Sequence, residues 1–157
     1  MENLIKIPLK VESNIVHREF VLAEPSGVDE LVLVRNIPAL AYNVAYGDLI
    51  QPLDPATGDF RLVRRSGQLT IRAFVPSKLD TPAITQLIDQ LVDMKGIFEV
   101  GKNQDGKPGY SLLLLSVHVQ TGFEKIENLM STVARSGGQW EFGNVYDELG
   151  EPLGWWK

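Results

Sequence analysis

Leu69-Thr70-Ile71-Arg72-Ala73-Phe74-Val75, followed by Asp80-Thr81-Pro82-Ala83-Ile84-Thr85-Gln86-Leu87-Ile88-Asp89-Gln90-Leu91-Val92-Asp93-Met94-Lys95-Gly96, reads as one strand leading into one helix. In the first segment Leu69, Ile71, Ala73 and Val75 point to one face and Thr70, Arg72 and Phe74 to the other, because strand side chains alternate. In the second, Ile84, Leu87, Ile88, Leu91 and Val92 recur at helical spacing and form one apolar stripe that must face a core. Thr81 supplies a cap for free backbone N–H groups. Pro82 has no N–H to leave unpaired at the first helical position. Gly96 is expected to end the helix by taking the left-handed conformation.

The same pattern continues downstream. Residues 97–101 and 110–119 flank a turn-rich stretch, 103–109, and read as a hairpin. Leu112-Leu113-Leu114-Leu115 is continuously apolar, as in a strand with little water on either side or one covered by the other half of the chain. A second helix follows, with Phe123, Ile126, Met130, Val133 and Ala134 as its stripe and Leu129 beside it. Thr121 or Gly122 starts it and Gly137 ends it. Residues 139–145 form the last strand, with Trp140 and Phe142 on one side. Strand, helix, strand, strand, helix, strand is the ferredoxin-like order. That fold hosts enzymes, regulators and binding modules, so it names no function.

The first 68 residues show no convincing amphipathic helix. Short strand candidates lie at 4–11, 18–23, 30–34, 48–52 and 59–63, separated by turn chemistry at Pro25-Ser26-Gly27 and Asp54-Pro55-Ala56-Thr57-Gly58. They predict a small antiparallel barrel or a curled sheet. Residues 38–45 fit a short helical turn or an extended loop. The expected architecture is α+β. A β-rich, barrel-like subdomain (1–68) packs on a ferredoxin-like subdomain (69–146), with an acidic tail (147–157) ending in a tryptophan pair. Each half is near the lower size limit for independent stability, so the two should share an interface.

Composition narrows the chemistry. The chain has no cysteine, which removes disulfides and cysteine nucleophiles. No apolar run is long enough to span a membrane, and the first residues lack the features of a signal peptide, so a cytoplasmic location is expected. The net charge is −5, which disfavours nonspecific binding to nucleic acid. The strand around Leu112 also lacks the basic-aromatic pattern of sheet-based RNA readers. The cluster Arg61, Arg64, Arg65 and Arg72 reads as solvated strand charges or as a patch for an anion or acidic partner.

No linear catalytic motif is present. His17 and His118 lie outside any metal-ligand spacing and read as structural or surface residues. Glycine-rich phosphate loops are absent, and no spacing selects an acid/base pair among the carboxylates. Asp54, Asp59 and the group Asp147, Glu148, Glu151 offer at most weak cation ligands. Asn103-Gln104-Asp105-Gly106-Lys107 lacks the full acidic pattern of a calcium loop. No catalytic residue, metal site or cofactor is expected.

Ala23-Glu24-Pro25, then Asn36-Ile37-Pro38-Ala39-Leu40-Ala41-Tyr42 running to Gly47-Asp48, then Ser66-Gly67-Gln68-Leu69-Thr70-Ile71-Arg72, resemble an uncharacterised bacterial family of about this length. The family is catalogued as a domain of unknown function. Leu40 stands where its pattern has an aromatic, and Leu22 where it has Trp. The resemblance covers roughly residues 20–75, implies a bacterial source, and carries over no catalytic residue. Physically, Gly47 gives backbone freedom, Asp48 can bond turn amides, and Pro38 and Tyr42 can brace the loop. The alternative is a ligand or partner site on which Tyr42, Asp48 and Arg72 converge.

The tail offers the other candidates. Trp155 and Trp156 either fold back on the core or anchor a partner. Asp147, Glu148 and Glu151 supply negative charge beside them. The leading functional expectation is a binding protein that neutralises or regulates a protein partner, most concretely an immunity-type inhibitor of a toxin. Acidic charge would steer it to a basic partner. A small-molecule sensor or regulatory domain is the alternative, and an enzyme without a linear motif the third.

Overall fold

The computed structural model of the chain describes residues 3–13, 16–76, 78–101 and 110–157. The turn-rich stretch 103–109, including the calcium-loop comparison, lies outside the described residues. Nine strands and two α-helices follow one another along the described chain. Strands β1 (Ile5–Lys10), β2 (Arg18–Pro25), β3 (Val32–Val34), β4 (Leu49–Asp54) and β5 (Asp59–Arg64) form one antiparallel meander in that spatial order. Its core includes Leu9, Val21, Ala23, Val34 and Ile50, inward positions of β1 to β4, together with Ala41 and Val44, and Phe60 and Leu62 of β5 pack against it partly buried. All five expected N-terminal strands are present. Residues 38–45 form an irregular loop with no helical turn.

The second sheet is built from β6 (Gln68–Val75), β7 (Ile97–Gly101), β8 (Ser111–His118) and β9 (Gln139–Phe142), in the order β7-β8-β6-β9 with every pairing antiparallel. Helix α1 (Pro82–Asp93) links β6 to β7, and α2 (Phe123–Arg135) links β8 to β9. Both helices bury most of their stripes on one face of this sheet, but Val92 (55% exposed) and Ala134, expected in the stripes, face solvent, because each lies at the edge of its stripe near the helix end. Ile84, Leu87 and Leu91 of α1 and Ile126, Leu129, Met130 and Val133 of α2 meet Leu69, Ile71, Ala73, Leu113 and Leu115. The opposite face carries Leu112, Leu114 and Phe74, which pack on Ile37, Ala39 and Tyr46 of the N-terminal half. The leucine run is therefore buried on both sides: Leu113 and Leu115 under the helices, Leu112 and Leu114 under the other half.

The helix ends follow the cap chemistry, with one correction. Thr81 Oγ1 accepts from the Ile84 N–H at 3.4 Å, and Pro82 opens α1. At the far end Lys95, not Gly96, takes the left-handed conformation (φ 62°). The Lys95 N–H donates to Val92 O at 2.8 Å and the Gly96 N–H to Leu91 O at 2.9 Å, the paired bonds of a Schellman end. Gly96 is needed for space: a Cβ there would come within 2.5 Å of Leu91 Cδ1 and 3.0 Å of Ser116 O. In α2, Gly137 does take the left-handed position (φ 82°). A short 3-10 turn, Val119–Thr121, precedes α2, so the strand read as 110–119 stops at His118.

Candidate functional site

The loop 36–48 crosses between the two sheets and is held by polar side chains from both. Glu19 occupies an inward position of β2 and is buried. Its carboxylate accepts the N–H groups of Ala39 and Leu40 at 3.0 Å each and of Ala41 at 2.7 Å. Arg72, 1% exposed, reaches the loop from the second sheet. Its guanidinium donates to Pro38 O and Ala41 O, pairs with Glu141 at 3.5 Å, and lies 4.8 Å from the centre of the Tyr42 ring. Tyr42 in turn donates its hydroxyl to the Glu141 carboxylate at 2.9 and 3.0 Å to its two oxygens. Burial, then the charge of Glu141, raise the tyrosine pKa, and Arg72 opposes them. Further along, the Ile37 N–H donates to Glu99 of β7 and the Thr70 hydroxyl donates to Val44 O at 2.9 Å.

Asp48 closes the loop. It accepts from the Ala45 N–H at 2.9 Å, the Ser66 N–H at 2.8 Å and the Ser66 hydroxyl at 3.1 Å. Burial raises its pKa from the ordinary 3.8, and these hydrogen bonds work against the rise. Between the ordinary and the raised value the folded protein holds the proton more tightly than the unfolded chain. Stability from this group is therefore greatest at low pH and declines as pH rises through that window. Asp48→Asn removes this dependence but sets an amide N–H2 against backbone donors. The expected net loss at pH 7 is about 1–3 kcal/mol, the scale of an unsatisfied buried donor. Urea unfolding across pH reads both effects, and an unchanged midpoint at pH 7 would show that the carboxylate does not hold the loop.

Beside the loop lies an open groove of about 840 Å³ that draws on both halves of the molecule. Tyr42, Phe60 and Tyr146 give it aromatic walls. Glu12, Asp59, Asp147 and Glu148 are the acidic residues of its lining, and Lys10 the basic one. The Lys10 ammonium stands 3.7 Å from Glu12 and 3.6 Å from Asp59, with the three side chains 48–69% exposed. The far wall is a turn after β9. It is closed by the Tyr146–Pro152 bridge and by the Leu153 N–H donating to Val145 O at 2.7 Å. Asp147 Oδ1 accepts the N–H groups of Leu149 and Glu151 at 2.8 and 2.9 Å, so the turn is internally braced. Leu149 at its tip is 87% exposed.

The structure thus joins parts of the two candidate sets: Tyr42 and the pair Asp147, Glu148 line one groove. Glu151 is exposed on the same turn. Trp155 and Trp156 pack against the helix-side core, half-buried. Of the basic cluster, Arg72 is withdrawn into the sheet interface. Arg61 bonds Gln51 at 3.0 Å, Arg64 is exposed on β5, and Arg65 stacks 5.0 Å from the Trp155 ring. Burial lowers the Arg65 pKa. Arg72 and Tyr42 meet, whereas Asp48 serves a separate turn. His17 is exposed, and His118 Nδ1 accepts from the Gln120 N–H at 3.1 Å, a capping role. Among the described residues no group of three or more His, Asp or Glu is placed to hold a metal ion, and no helix is long and apolar enough to cross a membrane.

Sequence reasoning missed Glu19, Glu141, Glu99 and the groove residues Lys10, Glu12, Phe60 and Tyr146. Glu19 did carry a signal: it shares the inward parity of Val21 and Ala23 in β2.

No curated protein matches the chain. A solved structure, the crystal structure of a hypothetical protein from Neisseria gonorrhoeae, is similar in fold, with a TM-score of 0.66 at 16% identity over 91% of this chain and 94% of that one. A family profile, described as a domain of unknown function, matches residues 19–142. That span runs from the second residue of β2 to the end of β9, including Glu19, the 36–48 loop, Arg72 and Glu141, and on this match the chain belongs to the family DUF4265.

Proposed function

We propose that the chain is a protein-binding module that acts by association rather than turnover, most concretely an immunity-type inhibitor of a basic bacterial toxin. The observation that carries this reading is the braced turn after β9. It holds Leu149 87% exposed between the exposed carboxylates Glu148 and Glu151. A fixed apolar tip with an acidic rim has the anatomy of a recognition surface. The net charge of −5 favours a basic partner and disfavours nucleic acid by the same electrostatics. A cytoplasmic location fits this role.

The finer fold reading belongs to the same proposal. The order β7-β8-β6-β9 with two linking helices supports a ferredoxin-like unit. The approach of the first sheet's outer strands, where the Lys10 N–H donates to Gly58 O at 2.9 Å, supports a barrel-like curl.

Asp147 holds the turn, so the test spares it. With the full chain as bait in a lysate of the source bacterium, one protein is expected in stoichiometric amount. Glu148→Lys with Glu151→Lys should slow its association and shrink the salt dependence. Equal capture by this variant, or no stoichiometric protein, overturns the proposal. A sensor of small molecules is the second reading, favoured by the groove, whose volume lies in the range of ligand sites. Thermal stabilisation by one metabolite would select it.

A further inference from the structure

We propose that the groove receives an arginine side chain from an extended segment of the partner, and that Lys10 is the internal cation it displaces. The inference rests on the protein-binding reading and adds the chemistry of the ligand. Among the described residues four acidic ones, Glu12, Asp59, Asp147 and Glu148, line the groove against one basic residue, Lys10. The cavity is therefore complementary to added positive charge. Three aromatic residues, Tyr42, Phe60 and Tyr146, share the lining with Leu149 and Leu153. Carboxylates plus ring faces suit a guanidinium, which is planar, weakly hydrated, stacks on aromatics and pairs bidentately with carboxylates.

The protein already uses this pairing beside the groove. The Arg72 guanidinium lies 4.8 Å from the Tyr42 ring centre, while Tyr42 lines the groove and is 47% exposed. Glu141 balances the charge of Arg72, so a second cation at Tyr42 does not meet an uncompensated one. Lys10 marks where the incoming charge goes. Its nitrogen is 3.7 and 3.6 Å from Glu12 and Asp59, beyond ordinary hydrogen-bond length, and its side chain is 49% exposed. Such a pair holds weakly and exchanges readily. A guanidinium with better geometry would take both carboxylates and send the ammonium to solvent.

The test titrates the full chain with a capped, glycine-spaced peptide carrying two arginines, followed by backbone amide NMR shifts. The same peptide with citrulline, neutral and nearly isosteric, is the control. Shifts centred on Lys10, Asp59, Tyr42 and Tyr146 are expected, with the citrulline peptide weaker by about tenfold or more. Lys10→Gln should tighten the arginine peptide by about threefold, since a competing surface pair is gone. Glu12→Gln with Asp59→Asn should weaken it by about tenfold. Equal binding of the citrulline peptide, shifts elsewhere, or a Lys10→Gln variant no tighter than wild type overturns the proposal. If peptide binding fails while Glu148→Lys with Glu151→Lys still slows partner association, the arginine site is wrong and the protein-binding reading stands. If the peptide behaves as expected but no partner is captured, the site stands and that reading falls.

Discussion

Arg72→Met is expected to lower stability by about 2–5 kcal/mol, because it strands buried acceptors, each worth roughly 1–3 kcal/mol when left unpaired. Arg72 sits in the middle of β6 and is 1% exposed, on the sheet face that meets the N-terminal half. Pro38 O and Ala41 O depend on its guanidinium, and methionine keeps the length without the donors. The loss would therefore report hydrogen bonding and charge rather than a cavity. Glu141→Gln is the internal comparison. The Glu141 side chain is 39% exposed, so its ion pair with Arg72 is screened on one side. That change should cost under about 1 kcal/mol. Urea midpoints of the two variants decide the matter. An Arg72→Met loss below about 1 kcal/mol would mean that the loop is held without the guanidinium.

This arginine also marks where the sequence stops being legible. Local signals are strong in the second half. Thr81 and Pro82 fix the start of α1, the stripe from Ile84 to Leu91 fixes its buried face, and parity in β6 separates Ile71 from Arg72. These features arise between residues a few positions apart, so a linear reading finds them. The misreading of Gly96 has the same origin. Pattern suggested a left-handed glycine, but Lys95 takes that backbone, and Gly96 answers a packing demand from Ser116 on another strand.

The site is a different case. The 36–48 loop has no period, and its shape is set by partners far away in sequence: Glu19 from β2, Arg72 from β6, Glu99 from β7 and Glu141 from β9. The groove is assembled from the end of β1, the start of β5, the loop and the turn after β9. No spacing rule links Lys10 to Tyr146. Composition could say that carboxylates and aromatics were available, and the tail residues Asp147 and Glu148 were singled out on that ground. Only the fold brings them opposite Lys10.

Replacing Trp155 and Trp156 together by alanine should cost about 3–5 kcal/mol, the range of one buried aromatic truncation spread over two half-buried rings. The pair belongs to a chain of edge-to-face contacts running from Trp155 through Trp156 and Phe123 to Phe142 and Trp140, with ring centres 5.1–5.6 Å apart. Such contacts add to the area buried. The Trp155 indole N–H donates to Asn144 O at 2.8 Å, and Asn144 itself bonds the Thr70 N–H and Gln68 O. Loss of the pair therefore loosens the backbone between β9 and the acidic turn as well as the helix-side core. The groove wall should feel it. The expected result is a lower urea midpoint, with the folded fraction still binding a partner but dissociating faster, because the turn that carries Glu148 and Leu149 is less fixed. A stability change under about 0.5 kcal/mol with complete loss of binding would reverse the assignment. The two rings would then be partner anchors, and their packing on Phe123 incidental.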